Sequence, residues 1–163
     1  MGEQARPAFT GLVVHHDATF GYVLLVPAGW QRLPLSGSES GVFYAPDATD
    51  LVTGLAVDAL DLGTPVVAGD LSTLQRGMLV GLRRLPHCQI ERSEADVVGQ
   101  LLTLEARHTF RDGDATRKRW TRLLYQGRTQ VRLVAQAASV AMFEYWEPMF
   151  YEALRTVHFG SGW

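Results

Sequence analysis

The sequence predicts an α+β domain, with an antiparallel β-sheet of about six to seven strands flanked by helices in an α/β/α sandwich. Residues 102–110 alternate apolar and polar side chains, which is the period of a strand with one buried face. Glycine-containing turn signals join this segment to the alternating segments 116–126 and 130–136, which predicts a three-stranded meander. Segments 70–85 and 139–157 repeat apolar residues every three or four positions, which is the period of a helix.

Length and composition fit one globular domain. The chain has 163 residues, of which 47% are hydrophobic and 20% charged, so a single core can form without cross-links. We predict an N-terminal tail (1–9), one domain (10–159) and a C-terminal tail (160–163). The lone cysteine, Cys88, cannot form an internal disulfide, and no apolar run approaches the ~20 residues that cross a bilayer. These features predict a cytoplasmic protein without a membrane partner.

The N-terminal third carries strand signals before the first helix. Residues 22–26 are almost continuously apolar, as in a strand that is covered on both faces, and Pro27 with Gly29 ends it. Residues 31–41 have the composition of a polar loop. The predicted strands of this part are 12–16, 22–26, 42–44 and one within 51–62.

Two helices are expected. The first begins with Asp70 as its N-cap and ends before Pro86, and a strand candidate follows at 88–92. The second begins after Ser139, and Pro148 must kink it or begin a further helix. Its apolar face is expected to pack on the sheet and consists of Phe143, Trp146, Phe150 and Leu154.

Charge is unevenly distributed along the chain. The net charge of −2 argues against nucleic-acid binding. Residues 39–70 hold six acidic residues and no basic ones, whereas residues 107–132 hold eight basic residues and two acidic ones. Such asymmetry can build a face of one sign, or it can leave solvated charges on an exposed sheet.

The predicted register of the meander gathers charged residues on one face. A two-residue turn at 112–113 would pair Arg107 with Lys118, and a three-residue loop at 126–128 would pair Arg122 with Arg132. The resulting candidate site for an anionic ligand or an acidic partner surface consists of Glu105, Arg107, Lys118, Trp120, Arg122 and Arg132. Acidic groups of residues 39–70 could instead neutralise these cations, and this alternative stays open.

No motif predicts catalysis, a cofactor or a metal site. Residues 37–41 have the glycine spacing of a nucleophile elbow, but Glu39 stands where that motif requires serine. His15 and His16 are adjacent on a predicted strand, so their side chains point to opposite faces and cannot share a metal. His108 falls on the apolar face of its strand and is expected to be a core histidine with one hydrogen bond. We therefore expect no catalytic residue, no metal ligand and no cofactor.

Several segments together resemble the PsbP-like fold family. These are the strand 22–26 running into Pro-Ala-Gly-Trp at 27–30, the segment 41–44, the meander from about 99 to 137, and the aromatic-rich closing helix from 145 to 159. The resemblance implies an antiparallel sheet sandwiched between helices. Known members include a photosystem II extrinsic subunit, an import factor that binds the GTPase Ran, and bacterial lipoproteins. Because they act mostly by binding partners, the resemblance carries over no catalytic residue.

The function expected from these features is that of a non-catalytic bacterial binding module, whose sheet surface meets a protein or a small anionic ligand. One alternative is a structural homo-oligomer, such as a homodimer, that uses the aromatic C-terminal helix as its interface. Another is an enzyme with a dispersed site around Glu105, Arg107 and His108.

Overall fold

The computed structural model describes residues 6–160, which form ten strands and two α-helices. The predicted tails lie mostly outside these residues. The helices are α1 (Leu71–Arg83), which follows a short 3₁₀ turn, and α2 (Val140–Thr156). The strands are β1 (Leu12–Asp17), β2 (Tyr22–Pro27), β3 (Gln31–Pro34), β4 (Val42–Ala45), β5 (Gly54–Asp61), β6 (Gln89–Val98), β7 (Leu101–Asp112), β8 (Ala115–Gln126), β9 (Thr129–Ala137) and β10 (His158–Phe159).

The strands form two antiparallel sheets. The larger has seven strands in the order β3-β4-β5-β9-β8-β7-β6, and the smaller has three in the order β1-β2-β10. Consecutive strands are joined as hairpins from β6 to β9, as the meander prediction requires, and β9 then pairs with β5. The prediction of an α+β fold with an antiparallel sheet of six to seven strands is confirmed.

One face of the large sheet, which we call the α2 face, is covered by α2 and the small sheet. The main core lies there, and it includes Tyr22 and Leu24 of β2 together with Phe143, Phe150 and Leu154 of α2, all of them fully buried. The predicted apolar face of the C-terminal helix is therefore confirmed. Its N-cap is also as predicted, because the Ser139 hydroxyl accepts a hydrogen bond from the Met142 N–H.

The opposite face, which we call the α1 face, is only partly covered. The apolar side of α1 packs through Leu71, Leu74 and Met78 over Leu102 and Leu104 of β7, and this contact forms a second, smaller core. No residue of α1 is fully buried, so the helix covers the sheet only through partly buried side chains. The part of the α1 face built from β3, β4, β5 and β9 has no helix over it.

One element prediction is wrong, and another has the correct type but is too short. Residues 31–41 are not all loop, because β3 pairs with β4 at the sheet edge, where Pro34 needs no ladder partner. The strand candidate 88–92 is the start of a longer strand, β6, whose mixed polar sequence hides its alternation.

Both predicted turns of the meander are wrong, but only the second error changes the face on which side chains lie. The first two-residue turn is Gly113-Asp114, since Asp112 pairs with Ala115; this shifts the register by two residues and keeps the faces. The second turn has two residues, Gly127-Arg128, and not three, so β9 slips by one residue relative to the prediction. Each glycine has positive φ at the first central position, as type II′ turns require. A slip of one residue exchanges the faces, and it moves Arg132 to the α1 face.

Candidate functional site

The structure separates the six predicted site residues. Strand pairing places Arg107 opposite Trp120 and Glu105 opposite Arg122, and Lys118 lies on the same face two residues before Trp120. This α2 face is the covered one. Arg132 lies opposite Leu123 on the α1 face. The predicted single face of six residues is therefore wrong, because the second turn is one residue shorter than expected.

Trp120 is a buried residue and not an open contact. Only 1% of its surface is exposed. Its indole Nε1 donates a hydrogen bond to Glu105 Oε1 over 2.5 Å, and the Arg107 guanidinium lies 3.9 Å from the ring centroid. Arg107 also donates to Glu147 of α2. These contacts join the sheet to the helix through a desolvated aromatic ring.

The other cations of the α2 face also have internal partners. Lys118 Nζ lies 3.1 Å from Glu91 Oε2. Arg122 donates to the backbone carbonyl of Leu154 in the last turn of α2. Burial lowers the pKa of Arg122, and the nearby Glu105 carboxylate opposes that shift. The geometry therefore supports an internal, structural use of this cluster more than an open binding surface.

The dispersed enzyme site around Glu105, Arg107 and His108 is not assembled. Successive residues of a strand point to opposite faces, so Glu105 and Arg107 face α2 whereas His108 faces the α1 side. His108 is fully buried beside Phe110, as predicted. The expected hydrogen bond is absent, since neither ring nitrogen of His108 has a partner within residues 6–160. Burial and then the charge of Arg119 lower its pKa to about 4.

An open concavity of about 650 Å³ occupies the uncovered half of the α1 face. Its floor is one register row that crosses four strands: Leu33 pairs with Phe43, Phe43 with Ala56, and Ala56 with Val134. Its walls are the segments 34–36 and 51–52. The floor is therefore a continuous apolar strip across the sheet, and it is open to solvent.

Phe43 is set into this floor by a glycine. A Cβ atom built on Gly54 would lie 2.6 Å from the Phe43 ring and 2.3 Å from the Tyr44 carbonyl oxygen. The aromatic ring therefore lies against the Gly54 backbone. A side chain at position 54 would displace the ring and also clash with the Tyr44 backbone.

Two arginines with different environments border the apolar row. Arg132 makes a two-pronged ion pair with Asp58, with Nε to Oδ1 at 3.0 Å and Nη2 to Oδ2 at 2.9 Å. Arg119 makes no ion pair with any carboxylate of residues 6–160. Its Nε donates to Gln136 Oε1, and its guanidinium lies 4.3 Å from the Phe110 ring centroid. Burial, followed by the neighbouring charge of Arg117, lowers the pKa of Arg119, which is the direction expected of a cation short of counter-charge.

The sequence predicts Arg132 as a site residue, but it does not point to Arg119, Phe43 or Gln136. Arg119 lies between Lys118 and Trp120, and its face can be assigned only from the strand register. Alternation along β9 did group Val134 with Gln136, and a correct turn length would have placed Arg119 directly opposite Gln136. The sequence pattern of β8 and β9 therefore contained this pairing, but assigning it required the correct length of the turn between the two strands.

Within residues 6–160, no three His, Cys, Asp or Glu side chains come together in a way that could hold a metal ion. Over the same residues, no helix has both the length and the hydrophobicity needed to span a bilayer.

The arrangement of strands and helices is shared with solved structures. The cyanobacterial PsbP protein (CyanoP) of Synechocystis superposes with a TM-score of 0.64 at 14% identity, and the match covers 98% of each chain. The chain has a PsbP-like fold. The same fold occurs in LpqN of Mycobacterium tuberculosis, a protein involved in cell envelope biogenesis (TM-score 0.61, 16% identity, 93% of this chain and 91% of that one). It also occurs in the Saccharomyces cerevisiae Ran-binding protein Mog1p (TM-score 0.54, 11% identity, 91% and 95%). No protein-family model and no curated protein matches the sequence.

Proposed function

We propose that this PsbP-like protein is a non-catalytic binding module, and that it binds an amphipathic ligand in the concavity on the α1 face. The observation that carries the proposal is the apolar row from Leu33 to Val134, which is open to solvent. It lies beside the guanidinium of Arg119, which forms no ion pair with the described residues. Binding sites for small ligands are typically concavities of this size, mostly apolar, with a few placed polar groups. Mog1p, which shares the fold, binds Ran, so binding is a use to which this fold is put.

The α2 cluster is the weaker candidate for such a site. A surface contact requires side chains that can reach a partner, but Trp120 is buried and Arg107 and Lys118 are already paired with Glu147 and Glu91. Arg132, the basic member of the predicted set that lies on the α1 face, borders the concavity and so belongs to the proposed site.

The proposal is tested by filling the concavity. Ala56 lies at its centre, half-buried between Phe43 and Val134. Ala56→Trp should weaken binding of Nile red, a neutral apolar dye, by about tenfold, because the indole occupies the apolar floor. Dye affinity is measured by fluorescence titration, and a thermal melt checks that the variant is folded.

Val98→Trp is the matched control, since Val98 lies on β6 of the same sheet and is exposed well away from the concavity. It should leave dye affinity unchanged. A folded Ala56→Trp protein that binds the dye as tightly as the wild type would overturn the proposed site.

A further inference from the structure

We infer that the ligand is an elongated apolar molecule ending in a single carboxylate, and that Arg119 is the residue that binds this carboxylate. The inference rests on the proposed function, and it adds the chemical class of the ligand. It follows from the hydrogen bonds of Arg119, from the charge balance of the site and from the direction of the apolar row.

Arg119 has unused donors on the side of the concavity. Its Nε donates to Gln136, but no group within residues 6–160 accepts a hydrogen bond from either Nη atom, and neither Nη atom is sealed from solvent. The planar guanidinium is already oriented on one side by the Phe110 ring. Two parallel N–H donors in a fixed plane match the two oxygens of a carboxylate.

Gln136, which lies opposite Arg119 on β9, holds the guanidinium in this orientation. Its Nε2 donates to the Val52 carbonyl oxygen over 3.0 Å, which turns its Oε1 toward Arg119. The amide therefore cannot flip without losing both hydrogen bonds. A donor held in place before binding costs less side-chain entropy when the ligand arrives.

The charge balance of the site favours one negative charge. Arg132 is neutralised by Asp58 through two hydrogen bonds. Arg117 forms an ion pair with Asp112, with Nε 2.8 Å from Oδ2. Arg119 is thus left as the one cation without an ionic partner among the charged residues that border the described concavity. One partly desolvated positive charge is complementary to a monoanion, and a carboxylate is the monoanion whose geometry fits the guanidinium.

The apolar row sets the shape of the rest of the ligand. Arg119 lies on β8 opposite Gln136, which is two residues along β9 from Val134 and on the same face. The apolar row begins at Val134 and runs through Ala56, Phe43 and Leu33 on β5, β4 and β3. Neighbouring strands lie about 4.8 Å apart, so the row extends about 14 Å from β9 to the sheet edge. An extended aliphatic chain with its carboxylate at Arg119 would pass diagonally to Val134 and then lie across the strands along this row.

The experiment compares decanoate with decanol, which share the apolar chain and differ in the charged end. Isothermal titration calorimetry below the micelle concentration should show decanoate binding about tenfold more tightly to the wild-type protein, because one charge-assisted hydrogen-bonded pair is added. Equal affinities for the two ligands would overturn the carboxylate anchor and leave the proposed site intact. Failure of both ligands to bind would instead contradict the proposed function.

Variants assign the preference to one side chain. Arg119→Gln should bind decanoate only as tightly as decanol. The matched control is the double variant Asp61→Asn/Arg128→Gln, which removes an exposed ion pair outside the concavity without changing the net charge and should keep the preference for decanoate within about twofold. A folded Arg119→Gln protein that still prefers decanoate would overturn the assignment. The wild-type comparison of the two ligands decides the carboxylate question even if this variant does not fold.

Discussion

Arg122 shows at the scale of one residue why a charged side chain on a sheet need not be a binding residue. It is half-buried under α2, where it donates to the Leu154 carbonyl oxygen at the end of the helix, and its strand neighbour is Glu105. The last carbonyls of a helix have no intrahelical donor and carry partial negative charge. A guanidinium placed there satisfies a carbonyl group and the helix dipole at the same time, so its role is to hold the helix.

We therefore expect Arg122→Glu to unfold the protein more easily. The new carboxylate would face Glu105 and the carbonyl end of α2, and the free energy of unfolding should fall by about 3 kcal/mol, the usual cost of breaking a buried charged contact. Urea denaturation measures the change. Arg76→Glu on the exposed side of α1 is the control and should shift stability little. An unaltered unfolding midpoint for Arg122→Glu would show that the residue is free to serve a partner.

At the scale of elements, α2 is held by aromatic packing. Phe150 is fully buried, with its ring centroid 5.3 Å from that of Phe143 and 5.9 Å from that of Trp30. Phe150→Ala should lower the free energy of unfolding by about 3–5 kcal/mol, because the truncation leaves a cavity in the main core. Met142→Ala, on the exposed side of the same helix, should change stability by much less. A thermal melt of Phe150→Ala that matches the wild type would mean that α2 is not held through this ring.

The predictability of each element depends on how strongly its sequence distinguishes its two faces. On β7 one face is uniformly apolar, so its strand assignment and the burial of His108 could be predicted. On β8 both faces mix apolar and charged residues: Trp120 and Leu124 point one way, and Leu123 and Tyr125 the other. A strand of this kind fits its neighbour in either register, and the length of a two-residue turn then decides the faces. This is why the fold could be predicted and the open site could not.

At the scale of the whole molecule, one buried histidine of the described chain packs on each face of the large sheet. His15 links the small sheet to the large one, with Nδ1 2.7 Å from the Tyr44 hydroxyl and Nε2 3.3 Å from that of Tyr22. His108 lies on the α1 face without a hydrogen-bond partner in the described chain. Burial is the main cause that lowers the pKa of each to about 4. The fold therefore buries both imidazole rings in their neutral form.

The pH dependence of stability follows from the sign of these shifts. An unfolded histidine takes up a proton near pH 6.5, whereas these two folded side chains do so only near pH 4. The unfolded state thus binds more protons between these values, so the stabilisation is complete above pH 6.5 and is lost as the pH falls toward 4. Each histidine should contribute about 2 kcal/mol of destabilisation between pH 6.5 and pH 5, at 1.4 kcal/mol per pH unit.

His108→Leu isolates one of these contributions, because His108 forms no hydrogen bond within residues 6–160 that leucine would forfeit. Urea denaturation at pH 7 and pH 5 should show that the wild type loses about 2 kcal/mol more than the variant over this interval. Carboxylates titrate alike in both proteins, so their effect cancels in the difference. His16→Leu, at an exposed position on β1, should behave as the wild type does. If His108→Leu and the wild type lost equal stability between pH 7 and pH 5, the pKa of His108 would not be lowered by folding, and the assignment of this pH dependence to His108 would be wrong.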